Sequence, residues 1–527
     1  MKLTRQEIKN KAVWEKAGIK LPQYDIEKMV AATENAPEWV HFGAGNIFRG
    51  FIGSLNQKLL NNGFAETGII AVETFDYDII DKIYNPHDSL TLNVTMDAKS
   101  NLDLEVLAGI AFGVKSSEID RLRGIFAKDS LKMVSYTITE KGYAIRGLDG
   151  NLMSVVENDI KNGPSAPVHA MSVTAALLLH RYCTCGAPIA VVSMDNCSHN
   201  GEKVGASVVE IAKAWVDGGF ADSGFLKYLE EKVSFPWSMI DKITPRPADS
   251  VKAQLEKLGV EEMDAIVTSK NTYIAPFVNA ETAQYLVVED SFPNGRPALE
   301  KAGVYMTTRE TVNKSETMKV TTCLNPLHTG LAVYGCLLGY KTIWEEMRDA
   351  DLAKLVKGIA DEGIKVVVDP DIINPADFSR EVIEERLPNP NIPDAPQRIA
   401  TDTSQKVGIR YGETIKAYVR SGSLNAADLK AIPMAIAGWL RYLLAIDDEG
   451  NSFERSSDPM LAELTEKLSG VEFGKPESAK GQLTEILSNT TLFGSNLYDA
   501  GIGSKVEELF AKMLEGKGAV RNTLKLL

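Results

Sequence analysis

Residues 38–63, EWVHFGAGNIFRGFIGSLNQKLLNNG, decide the fold. Four residues of strand character, Trp39 to Phe42, run into a glycine turn, and an amphipathic stretch follows that ends in Asn61, Asn62 and Gly63. Apolar residues at helical spacing, closed by glycine, predict a helix there. Strand, glycine turn and helix form the context in which a G-x-G motif cradles a dinucleotide. Gly43 permits the tight turn, Gly45 lets the backbone approach a pyrophosphate, and the helix N-terminus offers unpaired N–H groups. Phe48 stands where the third glycine belongs, so the motif reads GxGxxF. Taken alone it describes an ordinary turn equally well, and the strands that follow decide.

The next strand, GIIAVETFDYD from Gly68, supplies acidic residues where the second strand of such a unit ends. Glu73 lies 28 positions beyond Gly45, against a usual spacing of about 20. An acid there accepts hydrogen bonds from the adenosine ribose and repels a 2′-phosphate, favouring NAD over NADP. Asp76 and Asp78 are rivals for that place. Further strands are expected in LKMVSYTITEKGY from Leu131 and APIAVVSMDNCSHNG from Ala187, with a largely apolar helix, HAMSVTAALLLHRYCTCG, between them. Strands alternating with helices predict a parallel, doubly wound sheet. Asp195 and Asn196 then fall at its carboxyl edge, where such sheets hold ligands.

The opening forty residues read as a polar leading arm. SFPWSMIDKITPRP, from Ser234, has internal prolines and reads as an ordered loop, and strand-like composition returns from Thr272. Beyond about residue 305 long amphipathic segments predict a mostly helical second half. The expected organisation is an α/β Rossmann-type domain over residues 1–300 and a helical domain over 301–527.

Length and composition set limits on function. With 527 residues the chain exceeds one ordinary core. A net charge of −14 without clustered Lys and Arg argues against nucleic acid as a partner. No apolar run approaches membrane-spanning length and no signal-like N-terminus is present, so a cytoplasmic protein without a membrane partner is expected. Five cysteines and six histidines, none at zinc-binding spacing, predict reduced thiols and no metal.

In the second half, residues 317–330 read TMKVTTCLNPLHTG and crowd Lys319, Asn325 and His328 into ten positions. A lysine of lowered pKa can act as acid or base, an asparagine amide can hydrogen-bond a developing alkoxide, and an imidazole can orient a substrate hydroxyl. Asn325-Pro326 predicts a helix start with asparagine as N-cap.

Seven strings occur in order: HFGAGNIFRGF, SYTITEKGY, SMDNCSHNG, SFPWSMIDKITP, VVEDSFPNGRP, MKVTTCLNPLHTG and QRIATDTSQK. Together, from about Val40 to Lys406, they resemble the polyol-specific long-chain dehydrogenases, the mannitol dehydrogenase family. The resemblance implies a Rossmann-type N-terminal domain, a helical C-terminal domain, an active site between them, and metal-independent hydride transfer with NAD. It implies Lys319 as general acid/base, Asn196 and Asn325 as oxyanion-stabilising amides, and His328 as the contact of the neighbouring hydroxyl. It further implies Asp241, Arg398 and Lys406 as substrate contacts, and Gly43, Gly45, Phe48 and Arg49 at the cofactor turn. For the ribose acid, gapless reading indicates Asp78 and strand-end reasoning Glu73.

One departure concerns the lysine, which the family writes five residues before the asparagine and this chain writes six before it. On an unbroken helix the extra residue would swing the side chain by about 100°. A local bulge would restore it, and Lys314 is the alternative base. Among substrates, the CLNPLH variant resembles the branch that interconverts D-fructuronate and D-mannonate. Mannitol 2-dehydrogenation and tagaturonate reduction are alternatives, and a non-catalytic NAD-binding sensor is the remote one. Arg398 and Lys406, with Arg410 as a further candidate, supply cations for a uronate carboxylate. A sugar acid or polyol is thus the expected partner, bound by a monomer or small homo-oligomer.

Overall fold

A computed structural model describes residues 1–147 and 149–527. The chain separates into two compact units, residues 1–96 with 101–313, and residues 97–100 with 314–527.

The first unit is built on six strands: β1 (Trp39–Phe42), β2 (Ile69–Glu73), β3 (Ile110–Lys115), β4 (Met133–Tyr136), β5 (Ile189–Ser193) and β6 (Val233–Ser234). They lie in the order β3-β2-β1-β4-β5-β6, every neighbouring pair parallel. This is the doubly wound order, whose reversal between β1 and β4 opens a crevice at the carboxyl ends. Covering both faces demands strands apolar on both sides, and the residues comply. Val40, Phe42, Ile70 and Val72 enter one core with the helices Ala170–Cys183 and Asn200–Asp217. Trp39, Ile69 and Ala71 enter the other with Phe51, Leu55 and Leu59.

Two expectations need correction. The first forty residues are not a loose arm: Leu3, Ile8, Trp14 and Ile19 are buried with Leu92, Val94 and Phe277. They belong to a second sheet, ordered Ile19–Lys20, Leu102–Leu107, Thr91–Met96, Phe277–Glu281, whose strands come from far-separated parts of the chain. Nor is residues 234–247 only a loop, since Ser238–Asp241 forms a strand antiparallel to Tyr285–Glu289. Pro236 and Pro245 flank that strand rather than interrupt it, as missing N–H donors require.

The second unit is helical and centred on Asn325–Leu338, which is apolar around most of its circumference and correspondingly buried. Ala350–Ile364 and Ala431–Tyr442 pack against it. Tyr334 donates from its hydroxyl to Met434 O at 2.9 Å, and the Glu362 carboxylate accepts from the N–H groups of Lys430, Ala431 and Ile432, closing the start of the helix Ala431–Tyr442. In residues 97–100, Asp97 O accepts from Asn391 Nδ2 at 3.0 Å within this unit. Among the described residues no helix is long and apolar enough to cross a membrane.

Candidate active site

At the end of β1 the chain turns on Gly43, whose φ is +101° and where a Cβ would stand 2.2 Å from Thr137 O. Only glycine meets both conditions. At Gly45 a Cβ would meet nothing within 4 Å, so this face of the loop is open to a ligand. Phe48 follows in a π-helical turn, Phe48–Ile52, and is fully buried, stacked on the His41 ring at 4.0 Å. His41 in turn meets Ser135 Oγ (2.6 Å) and Thr137 Oγ1 (2.8 Å) of the neighbouring chain segment. Phe48 therefore supports the turn from the core side, filling the space that a third glycine would leave to helix–strand contact. Arg49 is also buried, donating to Asn46 Oδ1 and Ala275 O, both at 2.8 Å. Burial without a carboxylate partner pushes its guanidinium down to about 10.

The acids after β2 divide by environment. Glu73 is buried, and its carboxylate accepts four backbone N–H groups: Ala44 at 2.9 Å on one oxygen, and Thr74, Phe75 and Asp76 on the other. It ties the glycine loop to the β2 exit. Asp76 is buried and accepts from Thr268 Oγ1 at 2.5 Å. Asp78 keeps 20 % of its side chain exposed. The N–H of Ser269 (2.8 Å) and the Lys82 ammonium (3.1 Å) hold its carboxyl below the usual range.

Beyond β5 the two adjacent candidates also part. Asp195 accepts from the N–H of Ile138 and Thr139 and from the Tyr143 hydroxyl, fixing the loop after β4. Asn196 is exposed at that edge. Asn200 is buried and bridges Asp195 O to Ser238, bringing the β5 exit beside the strand that ends in Asp241. Asp241 is buried at that strand's end.

In the second unit, Lys319 is buried at 2 % exposure, and Lys314 is half-buried in the preceding helix, Arg309–Met318. Lys319–Cys323 forms a π-helical turn, with Leu324 N donating to Lys319 O at 3.1 Å. The i→i+5 bond absorbs one extra residue within a helix, and that is the residue by which this chain exceeds the family spacing. The following helix begins at Asn325, one position earlier than its proline suggested: Leu324 is the N-cap and no side chain caps this end.

His328 Nε2 lies 3.4 Å from Asp394 Oδ2. Burial pushes the imidazole down to about 4, Asp394 opposes this, and Arg410, Arg398 and Arg386 reinforce it, so the ring is neutral near pH 7. Arg398 is joined to Asp394 by two hydrogen bonds of 2.6 Å, Nε to Oδ1 and Nη2 to Oδ2. Lys406 donates to Thr401 O at 2.5 Å. Arg410 donates to Thr329 Oγ1, the residue after His328. Asp394 escaped the sequence reading because it meets His328 from 66 positions away, and Arg386 because no motif marks it; the charge of Arg398 four residues beyond Asp394 was the available signal.

Residues 37–301 match the mannitol dehydrogenase Rossmann domain and residues 311–514 the mannitol dehydrogenase C-terminal domain. A D-mannonate oxidoreductase of Thermotoga maritima is 53 % identical, the match covering 99 % of this chain and 98 % of that protein. Among solved structures, a D-sorbitol dehydrogenase in substrate-free form is 25 % identical with a TM-score of 0.79, covering 96 % of this chain and 98 % of its own. A Pseudomonas fluorescens mannitol 2-dehydrogenase, in ternary complex with NAD and D-mannitol, is 24 % identical with a TM-score of 0.71, covering 100 % and 99 %. From its glycine turn to the helix that carries His328, the chain belongs to the mannitol dehydrogenase family.

Proposed function

We propose that this protein is an NAD-dependent secondary-alcohol dehydrogenase that interconverts D-fructuronate and D-mannonate. The observation that carries the reading is Lys319, Asn325 and His328, set on one π-turn and the helix that follows it. The chain is 53 % identical over nearly its full length to a D-mannonate oxidoreductase, which supports the substrate. The open face at Gly45 and the N–H groups beyond it suit a pyrophosphate. NAD, when bound, supplies the hydride acceptor for alcohol oxidation and, in its reduced form, the donor for ketone reduction.

The chain's own residues supply the rest. Lys319 gives a proton to the nascent alkoxide, and the Asn325 amide donates a hydrogen bond to the same oxygen. The neutral imidazole of His328 binds the neighbouring hydroxyl, while Arg398 and Lys406 position the remaining groups. Asp78, the partly exposed acid, takes the ribose hydroxyls and repels a 2′-phosphate, whereas Glu73 serves the loop. In oxidation Lys319 must begin neutral, so the forward rate rises with pH. Replacing Lys319 by Ala is expected to lower kcat by about 10³-fold and to flatten that rise.

The direct test follows NADH absorbance with D-fructuronate, tagaturonate and fructose in parallel. Preference for fructuronate sustains the proposal; preference for fructose makes the protein a mannitol 2-dehydrogenase, and preference for tagaturonate a tagaturonate reductase.

A further inference from the structure

The surroundings of His328 are rich in guanidinium groups. Arg386, Arg398 and Arg410 all act on its imidazole, against one carboxylate, Asp394. Asp394 is committed, since both its oxygens bond Arg398 and one faces His328. Lys406 is occupied by Thr401 O. Arg410 differs: among the described residues no carboxylate pairs with it, and its guanidinium donates from Nη1 to the Thr329 hydroxyl. Thr329 is anchored in turn, its hydroxyl donating to Asn325 O at 2.9 Å. The guanidinium is thus docked onto the helix that presents Asn325 and His328, one residue from the imidazole. Burial pushes it down to about 10, as happens to a cation taken from water without a counter-charge.

A planar guanidinium with N–H groups left over, largely desolvated and lacking an acid of its own, is matched to a carboxylate that binds through both oxygens. We propose that Arg410 receives the substrate's carboxylate and so selects sugar acids over the corresponding neutral sugars. The proposal rests on the uronate reading above and moves this role away from Arg398, which Asp394 already engages. A uronate carries its carboxylate on the same carbon chain as the reacting ketone. Binding that end at Arg410 while His328 holds a hydroxyl fixes which carbon faces Lys319. A neutral ketose, with a hydroxymethyl group at that end, leaves the guanidinium unpaired, which penalises it.

The test compares D-fructuronate with D-fructose in NADH-dependent reduction by the wild type, Arg410→Met and Arg410→Lys. Arg410→Met is expected to lower kcat/KM for fructuronate by about 100-fold, mostly through KM, with fructose changed less than about threefold. Arg410→Lys, which keeps the charge and loses the fork, is expected to raise the fructuronate KM about tenfold. D-Mannonate inhibition should weaken in step with KM in both variants. An unchanged fructuronate KM in either variant overturns the assignment, as does a parallel loss on both sugars. Should Arg410→Met fail to fold, the Lys variant and mannonate inhibition decide alone. A wild type that reduces fructose but not fructuronate overturns the uronate reading before any variant is made, so the two failures are distinguishable.

Discussion

Asp394 holds two side chains with one carboxylate, the Arg398 guanidinium by a bidentate pair and the neutral His328 ring by its Nε2. An amide at this position keeps the shape but accepts at one atom only and carries no charge. Asp394→Asn is therefore expected to lower kcat/KM about 10- to 100-fold by loosening the imidazole, with NADH affinity unchanged. Steady-state kinetics together with NADH fluorescence titration checks this, and an unaltered kcat/KM refutes the positioning role. Legibility at this scale followed distance along the chain. Lys319, Asn325 and His328 fall within ten positions and advertise themselves, whereas their charge environment is assembled from residues 386–410, where the sequence shows only scattered ions.

Among elements, the π-helical turns stand out, because Lys319, Arg386 and Arg410 each lie in one: Lys319–Cys323, Val382–Arg386 and Gly408–Gly412. The first and third each insert a residue that offsets the preceding side chains from the helix that follows, and the second closes the helix Pro375–Glu381. Deleting Thr321 should return the first turn to α geometry and rotate Lys319 by about 100° relative to Asn325. Turnover is expected to fall by about 100-fold or more while NADH titration is unaffected; retained turnover would show that the turn does not set the lysine's aim. The helix Ile343–Glu346 carries a second oddity. Glu346 is fully buried with neither carboxyl oxygen hydrogen-bonded, and a Cβ at Gly335 would stand 1.9 Å from it, so any larger residue there must displace the carboxyl group. Burial, then Asp349 and Asp394, push its pKa well above the ordinary 4.5. The folded state keeps this proton while the unfolded state loses it, so its contribution is complete below pH 4.5 and declines as pH rises. That decline is about 1.4 kcal/mol per pH unit within the window. Glu346→Gln should flatten it, giving a higher urea midpoint than wild type at pH 8 but not at pH 4.

The whole molecule was legible where its units are local and periodic. β1, β2, β4 and β5 could be read because each is an apolar run closed by a turn, and the helix starting at Ala350 because its apolar residues recur on one face. β6, two residues long, carries too little pattern, and the sheet joining Ile19, Thr91, Leu102 and Phe277 depends on pairings across up to 185 positions, as between Leu92 and Phe277. The two compact units predict more than one calorimetric transition. Saturating NADH, bound at the glycine loop, should raise the transition of the first unit, by about 2.7 kcal/mol at a hundredfold excess over Kd. A scan in which NADH moves every transition equally would contradict this. The same loop sets a rule for redesign. Someone wishing to convert the enzyme to the phosphorylated cofactor would reach first for the acid that ends β2, and would remove the anchor of four amides. Such a variant would pass for evidence that the preference is immutable, whereas under the proposed assignment the residue to exchange is five positions further on, at Asp78.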